Sequence, residues 1–232
     1  MGWERKPEPE VMDNDAEAEA YASAAAQNYL DALDDTLVAQ ALSLFSRAGA
    51  PSGRLLDLGC GPGNIALKLA QKAPGLRVVG VDCSRAMIHQ ALRAAEKQGL
   101  FDRARFLQGD GNRLCFPDAS FDYVLSNSVL HHLANPTRVL REMVRVTRPT
   151  GVILMRDLRR PSRLFYRWHV GWHGRYYSGL MKKLYRDSVR AAFTVAELKH
   201  LLAQAGLEGA TVFTHRRTHL GFVLDFKNRR AM

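Results

Sequence analysis

Short apolar runs alternate with helical patterns through the middle of the chain. Five runs are apolar and rich in β-type residues, as strands are, and they lie at 54–58, 77–81, 104–108, 123–126 and 152–155. Helical periodicity follows several of them, over 65–72, 85–98 and 137–145. Because strands that alternate with helices form parallel sheets joined by right-handed crossovers, this pattern predicts an α/β fold.

The C-terminal part predicts a different arrangement. A capping box formed by Thr194 and Glu197 opens a helix that ends at Gly206. Two further β-type runs follow at 210–215 and 220–226, and a polar turn separates them. They predict an antiparallel hairpin at the edge of the sheet, which brings the expected number of strands to seven.

The N-terminal part predicts an arm followed by two helices. Residues 1–14 are polar and contain two prolines, so we expect a flexible arm there. From 15 to 45 the pattern is helical and alanine-rich, with an interruption at Asp34 and Asp35. Either acid can cap a second helix over 36–48. These helices either cover a site or pack on the edge of the sheet, and the pattern leaves both arrangements open.

The composition narrows the class of protein. A length of 232 residues suits one α/β domain with a modest addition, and no apolar run approaches the roughly 20 residues of a membrane span. Residues 1–10 lack the apolar region of a secretory signal. Three cysteines without Cys-x-x-Cys spacing argue against a disulfide framework or a zinc site. We therefore predict a cytoplasmic protein whose cysteines are small buried residues.

Charge is distributed unevenly along the chain. The formal net charge is +10, yet residues 1–50 are predominantly acidic. The cap segment, defined here as residues 159–190, is aromatic and contains nine basic residues against one acidic residue. Basic segments attract anionic partners, although most basic surfaces are simply solvated.

Glycine and polar residues follow the predicted strands at the point where each strand ends. They are Gly59, Gly61 and Gly63, then Asp82, then Asp110 with Gly111, then Asn127. In open α/β sheets the ligand binds outside the carboxyl ends of the strands, so we expect these groups to meet in one crevice. Glycine has no Cβ, which leaves room for a ligand beside the first turn. A carboxylate at Asp82 can accept both hydroxyls of a ribose, and Asp110 with Gly111 can pair with an adenine.

The spacing of the glycines separates two nucleotide-binding classes. A dinucleotide fingerprint requires its third glycine one position later, where this chain has Asn64. That departure disfavours a nicotinamide oxidoreductase.

Several motifs then occur in order along the chain, at 55–64, Asp82, 110–116 with Phe121-Asp122, 127–133 and 148–151, the last of which predicts a turn. Together they resemble the class I S-adenosylmethionine-dependent methyltransferases, of the methyltransferase type 11 kind that includes the ubiquinone and menaquinone methyltransferases. The resemblance covers residues 50–155. It implies S-adenosyl-L-methionine as cofactor and S-adenosyl-L-homocysteine as product. It also implies a Rossmann-like, seven-stranded, mostly parallel sheet with helices on both faces, an antiparallel C-terminal hairpin and a helical cap.

The resemblance further implies which residues hold the cofactor. The glycines lie at its methionine end, Asp82 at the ribose, and Asn127 near the sulfonium. The full set of predicted cofactor-binding residues is Asp57, Gly59, Cys60, Gly61, Gly63, Asn64, Asp82, Cys83, Met87, Asp110, Gly111, Asn127 and Ser128. Met87 either packs on the adenine or belongs to the core.

Catalysis of methyl transfer asks little of the protein. Positioning the acceptor in line with the methyl group is the main requirement, and a base is needed only if the acceptor loses a proton. His131 and His132 are the candidate bases, because they follow Asn127 in a turn between strand and helix. The alternative is that they only hold the loop. We predict no metal site, since His169 and His173 have no third ligand near them in the sequence.

The cap segment is expected to lie above the methyl-donor end of the cofactor. Its aromatic residues can form an apolar pocket over the acceptor, and its arginines can hold an anionic group. The candidate substrate-binding residues are Tyr21, Tyr29, Trp168, His169, Trp172, His173 and Tyr177. An ordinary helical cap, contact with an anionic membrane surface and contact with a polyanion such as RNA are the alternatives, and nucleic acid is the least favoured.

The sequence thus predicts four parts. They are an N-terminal arm with lid helices (1–50), a cofactor-binding core (51–158), the cap segment (159–190), and a C-terminal helix with an edge hairpin (191–232). The predicted function is S-adenosylmethionine-dependent methylation of a small molecule by direct in-line transfer. An RNA or protein methyltransferase and a non-catalytic scaffold or sensor that binds the cofactor are the alternatives.

Overall fold

One sheet organises the protein. The structure is a computed structural model that describes residues 3–7, 24–46 and 51–229, with 24–29 and 228–229 described by their backbone alone. The strands in this part of the chain are β1 (Ser52–Leu58), β2 (Gly75–Asp82), β3 (Ala104–Gln108), β4 (Phe121–Asn127), β5 (Thr147–Leu158), β6 (Thr211–His215) and β7 (His219–Asp225). The helices are α1 (Ala24–Phe45), α2 (Asn64–Lys72), α3 (Arg85–Lys97), α4 (Pro136–Val146), α5 (Arg163–His173), α6 (Gly179–Ala191), α7 (Val195–Gln204) and α8 (Phe226–Arg229).

The sheet has the order β3-β2-β1-β4-β5-β7-β6. Strands β1 to β5 are parallel, and β7 is antiparallel to both β5 and β6. The seven-stranded, mostly parallel sheet with a C-terminal hairpin is therefore confirmed. Leu58 pairs with Val81 on one side and with Ser126 on the other. This register aligns the carboxyl ends of the central strands at one edge, where a ligand can bind.

Helices cover both faces of the sheet because successive residues of a buried strand point to opposite faces. Leu55 belongs to an apolar cluster with Leu37 of α1 and Leu69 of α2. Its neighbour Leu56 belongs to the cluster on the other face, with residues of α4 and α7. Each of these leucines is fully buried, and full burial of one leucine side chain contributes about 1.5–3 kcal/mol.

The predicted break in the N-terminal helix is wrong, because α1 runs without interruption from Ala24 to Phe45. Asp35 lies in the middle of this helix and forms an ion pair of 2.9 Å with Lys68 of α2. The hydroxyl of Thr36 donates to the carbonyl of Leu33 one turn earlier. Asp35, one of the two acids that suggested a helix cap, thus serves a contact between two helices.

Two other segments differ from expectation. The motif at 148–151 was predicted as a turn, yet it forms part of β5, where Arg148 donates to Asp122 on the neighbouring strand β4 at 2.6 Å. Residues 3–7 of the expected flexible arm lie against the body of the protein. Arg5 donates to the carbonyls of Ala191 (2.6 Å) and His131 (2.8 Å).

The cap segment forms two helices, α5 and α6, which pack over the carboxyl edge of the sheet. Tyr177, Met181, Tyr185 and Val189 form a small buried cluster beneath them. The capping box of Thr194 and Glu197 is confirmed at the start of α7. Among the described helices, none is both long enough and apolar enough to cross a membrane.

Candidate functional site

Two cavities open beside each other at the carboxyl edge of the sheet. The strand-end cavity, about 410 Å³, is lined by Asp57, Gly61, Asp82, Asp110 and other residues at the ends of β1 to β4. The cap cavity, about 310 Å³, lies between α1, α6 and the end of β5. The residues that line both are Asp34, Pro62, Asn64, Met87, Asn127, Ser128 and His132. The two spaces therefore adjoin.

The glycine turn between β1 and α2 leaves one side open. A Cβ at Gly61 would meet nothing within 4 Å. By contrast, a Cβ at Gly59 would lie 2.1 Å from the Val129 side chain, and one at Gly63 would lie 2.8 Å from the Phe106 ring. We expected all three glycines to leave room for a ligand, but only Gly61 faces free space. Gly59 and Gly63 are required by packing within the protein, and Gly63 does not line either cavity.

Asp82, at the end of β2, holds the glycine turn in place. Its Oδ2 accepts from the amide of Gly61 at 2.8 Å, and its Oδ1 accepts from the amide of Ser84 at 2.9 Å. Ser84 in turn caps α3. Burial raises the pKa of Asp82. Each carboxylate oxygen has a second lone pair, which leaves acceptor capacity on the cavity side.

Asp57 is the buried carboxylate of the site. It is 2% exposed and lines the strand-end cavity, and its Oδ2 has no hydrogen-bond partner. Burial, with Asp34 and Asp82 nearby, raises the pKa of Asp57 to about 7. An unpartnered buried carboxylate oxygen is costly, so this atom is suited to receive a cationic group of a ligand.

The far end of the strand-end cavity contains the residues predicted for adenine. The Oδ1 of Asp110 accepts from the amide (2.8 Å) and the side chain (2.9 Å) of Asn112, which fixes the loop after β3. Gly111 and Met87 also line this cavity, and Met87 is 6% exposed. Leu58, Val81 and Val139 add apolar wall. An aromatic base fits such a surface, with polar groups at one edge only.

The cysteines differ in their placement. Cys60 is buried, whereas Cys83 and Cys115 are exposed, so the expectation of three buried thiols is wrong for two of them. Cys60 and Cys83 line the strand-end cavity, but Cys115 does not. Burial raises the pKa of Cys60 well above its usual value, so this thiol is neutral at physiological pH.

His131 forms a buried pair with Asp157 at the end of β5. The Nδ1 of His131 lies 2.5 Å from Oδ1 of Asp157, and the amide of His131 donates to Oδ2 of Asp157 at 3.0 Å. Asp157 is completely buried. Burial alone would raise the pKa of Asp157, but the interactions with His131 outweigh it and lower that pKa. The imidazole lines the cap cavity, and because Nδ1 is occupied, Nε2 is its remaining polar atom.

His132 lies next to this pair, and its charge also lowers the pKa of Asp157. Its ring centroid is 4.0 Å from that of His131, and it lines both cavities. His131, one of the two predicted bases, has a carboxylate at its Nδ1.

Arg156 is a buried cation that connects the sheet to α1. It is 1% exposed, and it donates to Oγ1 of Thr36 (2.8 Å), to the carbonyl of Leu33 (3.1 Å) and to Oδ1 of Asn127 (3.1 Å). Burial lowers its pKa to about 10. Asn127, predicted at the cofactor, is therefore held by an arginine that also fixes the helix over both cavities.

The sequence interpretation missed Arg156, Asp157 and His219 in this region. A signal existed for the first two, because they directly follow the apolar run of the fifth strand. His219 at the start of β7 lines the cap cavity, and burial lowers its pKa to about 3, so its ring is neutral.

The predicted substrate residues are dispersed. Tyr177 lines the cap cavity. His169 is buried behind it, with Nε2 3.4 Å from the hydroxyl of Tyr185. Trp168 and Trp172 are 55% and 53% exposed and line neither cavity. His173 lies beside His169 and lines neither cavity. Tyr21 lies outside the described residues, and Tyr29 is described by its backbone alone.

The strand-end cavity fits the cofactor that the sequence implies. Asp57 offers an unpartnered carboxylate oxygen for the amino group, Asp82 has spare acceptor capacity for the ribose, and Gly61 leaves the backbone open to close approach. In the part of the chain that the structure describes, no three His, Cys, Asp or Glu side chains are arranged to hold a metal ion.

Known proteins share this sequence pattern and fold. The family described as a methyltransferase domain matches residues 56–155. The demethylmenaquinone methyltransferase of Thermus thermophilus is 35% identical over 163 residues, which cover 66% of this chain and 73% of that protein. The 27-O-demethylrifamycin SV methyltransferase of Amycolatopsis mediterranei is 38% identical over 104 residues, which cover 45% of this chain and 38% of that protein.

A solved structure extends the likeness to almost the whole chain. The plantazolicin methyltransferase BpumL, in complex with a monoazolic desmethylPZN analog and SAH, is 17% identical with a TM-score of 0.71. The match covers 91% of this chain and 90% of that chain, and at this identity it shows the fold alone. Sequence and fold agree with the geometry of the strand-end cavity, and the chain belongs to the class I S-adenosylmethionine-dependent methyltransferases.

Proposed function

We propose that this methyltransferase methylates a hydroxyl group on a small, largely apolar molecule, with His131 as the general base. The observation that carries the proposal is the 2.5 Å contact between Nδ1 of His131 and Oδ1 of Asp157, in the wall of the cap cavity. An acceptor hydroxyl has a proton that must leave, and a positioned imidazole is the usual group to take it.

The division of labour follows from the two cavities. Bound S-adenosylmethionine supplies a methyl group that is already activated on a sulfonium and leaves a neutral thioether behind. The protein then has to hold the acceptor oxygen in line and exclude water. Asn127, Ser128 and His132 line both cavities and mark the junction between donor and acceptor. Asp57, Gly61, Asp82, Asp110 and Gly111 are the residues that we propose to hold the cofactor.

Asp157 acts on the reaction through His131. Its carboxylate accepts a hydrogen bond from Nδ1–H, which selects the tautomer with a lone pair on Nε2. When Nε2 takes the hydroxyl proton, the ring becomes cationic, and the adjacent carboxylate stabilises that charge. Asp157 is therefore proposed as a positioning residue, and His131 as the catalytic residue.

The lining of the cap cavity supports a small apolar acceptor. Leu33, Leu158, Met181 and Leu184 contribute apolar wall, and Tyr177 adds an aromatic surface. Polar groups at one end, Thr218 and the neutral His219, can orient a substituent. A cavity of about 310 Å³ suits a ring system better than a folded macromolecule. The names of the Thermus and Amycolatopsis relatives both support a small-molecule acceptor, and the Amycolatopsis name, a 27-O-demethylrifamycin SV methyltransferase, also mentions an oxygen position.

A screen of hydroxylated aromatic and polyketide acceptors with methyl-labelled S-adenosylmethionine tests the proposal. We expect transfer to a hydroxyl oxygen, identified by mass spectrometry of the product. His131→Ala should lower kcat by about 10²–10⁴ and leave cofactor affinity unchanged, because the base acts only on the acceptor. Asp157→Asn should also lower kcat. The matched control is His200→Ala, since His200 is exposed on α7 away from both cavities.

Other outcomes would point to the alternatives. Full activity of His131→Ala would remove the base from the proposal. Label appearing on RNA or on a protein instead of small molecules would favour those acceptor classes. Cofactor binding without turnover in any acceptor assay would favour a scaffold or sensor. The cytoplasmic location predicted from the sequence stays a prediction.

A further inference from the structure

An apolar stripe covers the outer face of α5. Leu164 is 90% exposed, Phe165 63%, Trp168 55% and Trp172 53%. At 3.6 residues per turn these four positions fall within an arc of about 100°, on the side away from Tyr166 and Val170, which pack on the buried cluster of the cap segment. We call them the aromatic stripe. Exposed large hydrophobic side chains concentrate here, with Tyr176 and Leu180 close by in the chain.

The two tryptophans are held at the surface by each other and by a cation. Their rings are nearly parallel, with 9° between the planes and 6.2 Å between the centroids. The guanidinium of Arg175 lies 4.0 Å from the centre of the Trp172 ring. A stacked, exposed indole pair under an arginine combines a large apolar surface with positive charge.

A shallow basic groove borders the stripe, between α5 and α6. Arg167 on α5 and Lys182, Lys183 and Arg186 on α6 line it, over a floor that includes Val170. All four cations are exposed. The cap segment has nine basic residues, and its single acid is Asp187. The groove therefore presents a concentration of positive charge that favours anionic groups.

We propose that the aromatic stripe and the basic groove together form a docking surface for an anionic lipid bilayer. Tryptophan, phenylalanine and leucine on one side, with lysine and arginine beside them, are the combination with which a helix lies in the plane of a membrane interface. The indoles enter the headgroup region, and the cations of the groove meet lipid phosphates.

The charge and the apolar side chains of this surface favour a bilayer over a second copy of the chain and over RNA. A second copy of the chain on this face would bring like charges together, which costs free energy. RNA would satisfy the cations and could stack on the indoles, but it offers nothing to Leu164 and Phe165, the two most exposed members of the stripe. An anionic bilayer satisfies both sets of groups at once. The proposal uses no residue of the strand-end or cap cavity, so it stands independently of the acceptor chemistry.

Flotation with lipid vesicles tests the surface directly. We expect the full chain to float with phosphatidylcholine vesicles that contain phosphatidylglycerol, and to bind pure phosphatidylcholine at least about tenfold more weakly. Trp168→Ala/Trp172→Ala and Lys182→Glu/Lys183→Glu should each abolish most of the binding. Matched controls are Phe101→Ala, an exposed aromatic far from the stripe in the chain, and Arg93→Glu/Lys97→Glu on exposed positions of α3. Both controls should bind like the unmodified chain.

Fluorescence distinguishes insertion from simple attraction. The chain has three tryptophans, and Trp3 packs against Tyr166 beneath Arg190. In a Trp3→Phe variant the emission comes from the stripe alone, and we expect a blue shift and quenching by brominated lipid. No quenching, or vesicle binding that Trp168→Ala/Trp172→Ala leaves intact, would overturn the proposal. The proposal would also be overturned if the chain bound RNA but no vesicles, or if it formed a dimer that Trp168→Ala/Trp172→Ala dissociates. Circular dichroism and S-adenosylmethionine binding verify that each variant is folded.

Discussion

The carboxylate of Asp82 accepts a hydrogen bond from the amide of Gly61, with 2.8 Å between Oδ2 and the nitrogen. Asp82 thus fixes the glycine turn in addition to offering acceptor capacity for a ribose. We expect Asp82→Ala to weaken S-adenosylmethionine binding by about 1–3 kcal/mol, because amide and hydroxyl donors lose their acceptor. Calorimetric titration measures this change. Asp82→Asn retains one acceptor oxygen and should lose less, and equal affinity of all three proteins would refute the role.

Gly61 and Gly63 should respond differently to the same substitution. Both have positive φ, +52° and +83°, so Gly61→Ala and Gly63→Ala share a strain of about 1–2 kcal/mol. The added methyl group at Gly63 also overlaps the Phe106 ring, and we expect a further loss of about 1–3 kcal/mol in the free energy of unfolding by urea. The methyl group at Gly61 enters the strand-end cavity, so that variant should lose cofactor affinity instead. Equal unfolding energies would contradict the assignment.

The raised pKa of Asp57 predicts that a proton is released when the cofactor binds. Its pKa is raised to about 7 by burial and by Asp34 and Asp82, so near neutral pH part of the population is protonated. A cationic amino group beside the carboxylate favours the ionised form and lowers this pKa. Calorimetry at pH 6.5 to 7 in buffers of different ionisation enthalpy should therefore detect protons released by the unmodified protein and fewer by Asp57→Asn. Identical proton counts would contradict the proposal.

The raised pKa of Asp57 also makes the free energy of unfolding depend on pH. The unfolded carboxyl has a pKa of about 3.9, against about 7 for Asp57 in the folded state. Between these values the folded state binds more protons, so the free energy of unfolding falls as pH rises from about 4 to about 7. The stability of the unmodified protein relative to Asp57→Asn should fall across that window, as measured by urea unfolding.

The contact between Arg156 and Thr36 predicts how α1 is held. Thr36→Val leaves one N–H of a buried guanidinium without its acceptor, and we expect a loss of about 1–3 kcal/mol in the free energy of unfolding. Hydrogen exchange of the α1 amides should accelerate as well. Thr36→Ser keeps the hydroxyl and is the matched control. If the serine and valine variants behave alike, the hydrogen bond does not stabilise the helix.

The arrangement of the strands could be predicted from the sequence because local pattern determines it. The runs around Leu55, Val79 and Leu125 are apolar on both faces of a buried sheet, and the residues that follow them mark the carboxyl edge. The strand-end cavity was predictable for the same reason. The continuity of α1 was not, because Asp35 is stabilised by Lys68 of another helix, a contact that no local pattern reveals.

The cap cavity depended on contacts between distant residues. His131 meets Asp157 across 26 positions, and Arg156 meets Thr36 across 120. The buried face of the cap helices could not be predicted either, because an aromatic helix has two faces and packing decides which one is buried. On α5, His169 is buried, whereas Trp168 is exposed.

Helix α6 lines the cap cavity on one face and the basic groove on the other. Met181 and Tyr185 line the cap cavity, while Lys182 and Lys183 point to the basic groove. Substitutions on the inner face can change the acceptor without altering the outer charge, and the reverse holds as well. Natural selection can therefore change the acceptor and the proposed bilayer contact independently on a single helix. Descendants of one ancestral enzyme could then diverge in substrate while they keep the same contact with the bilayer.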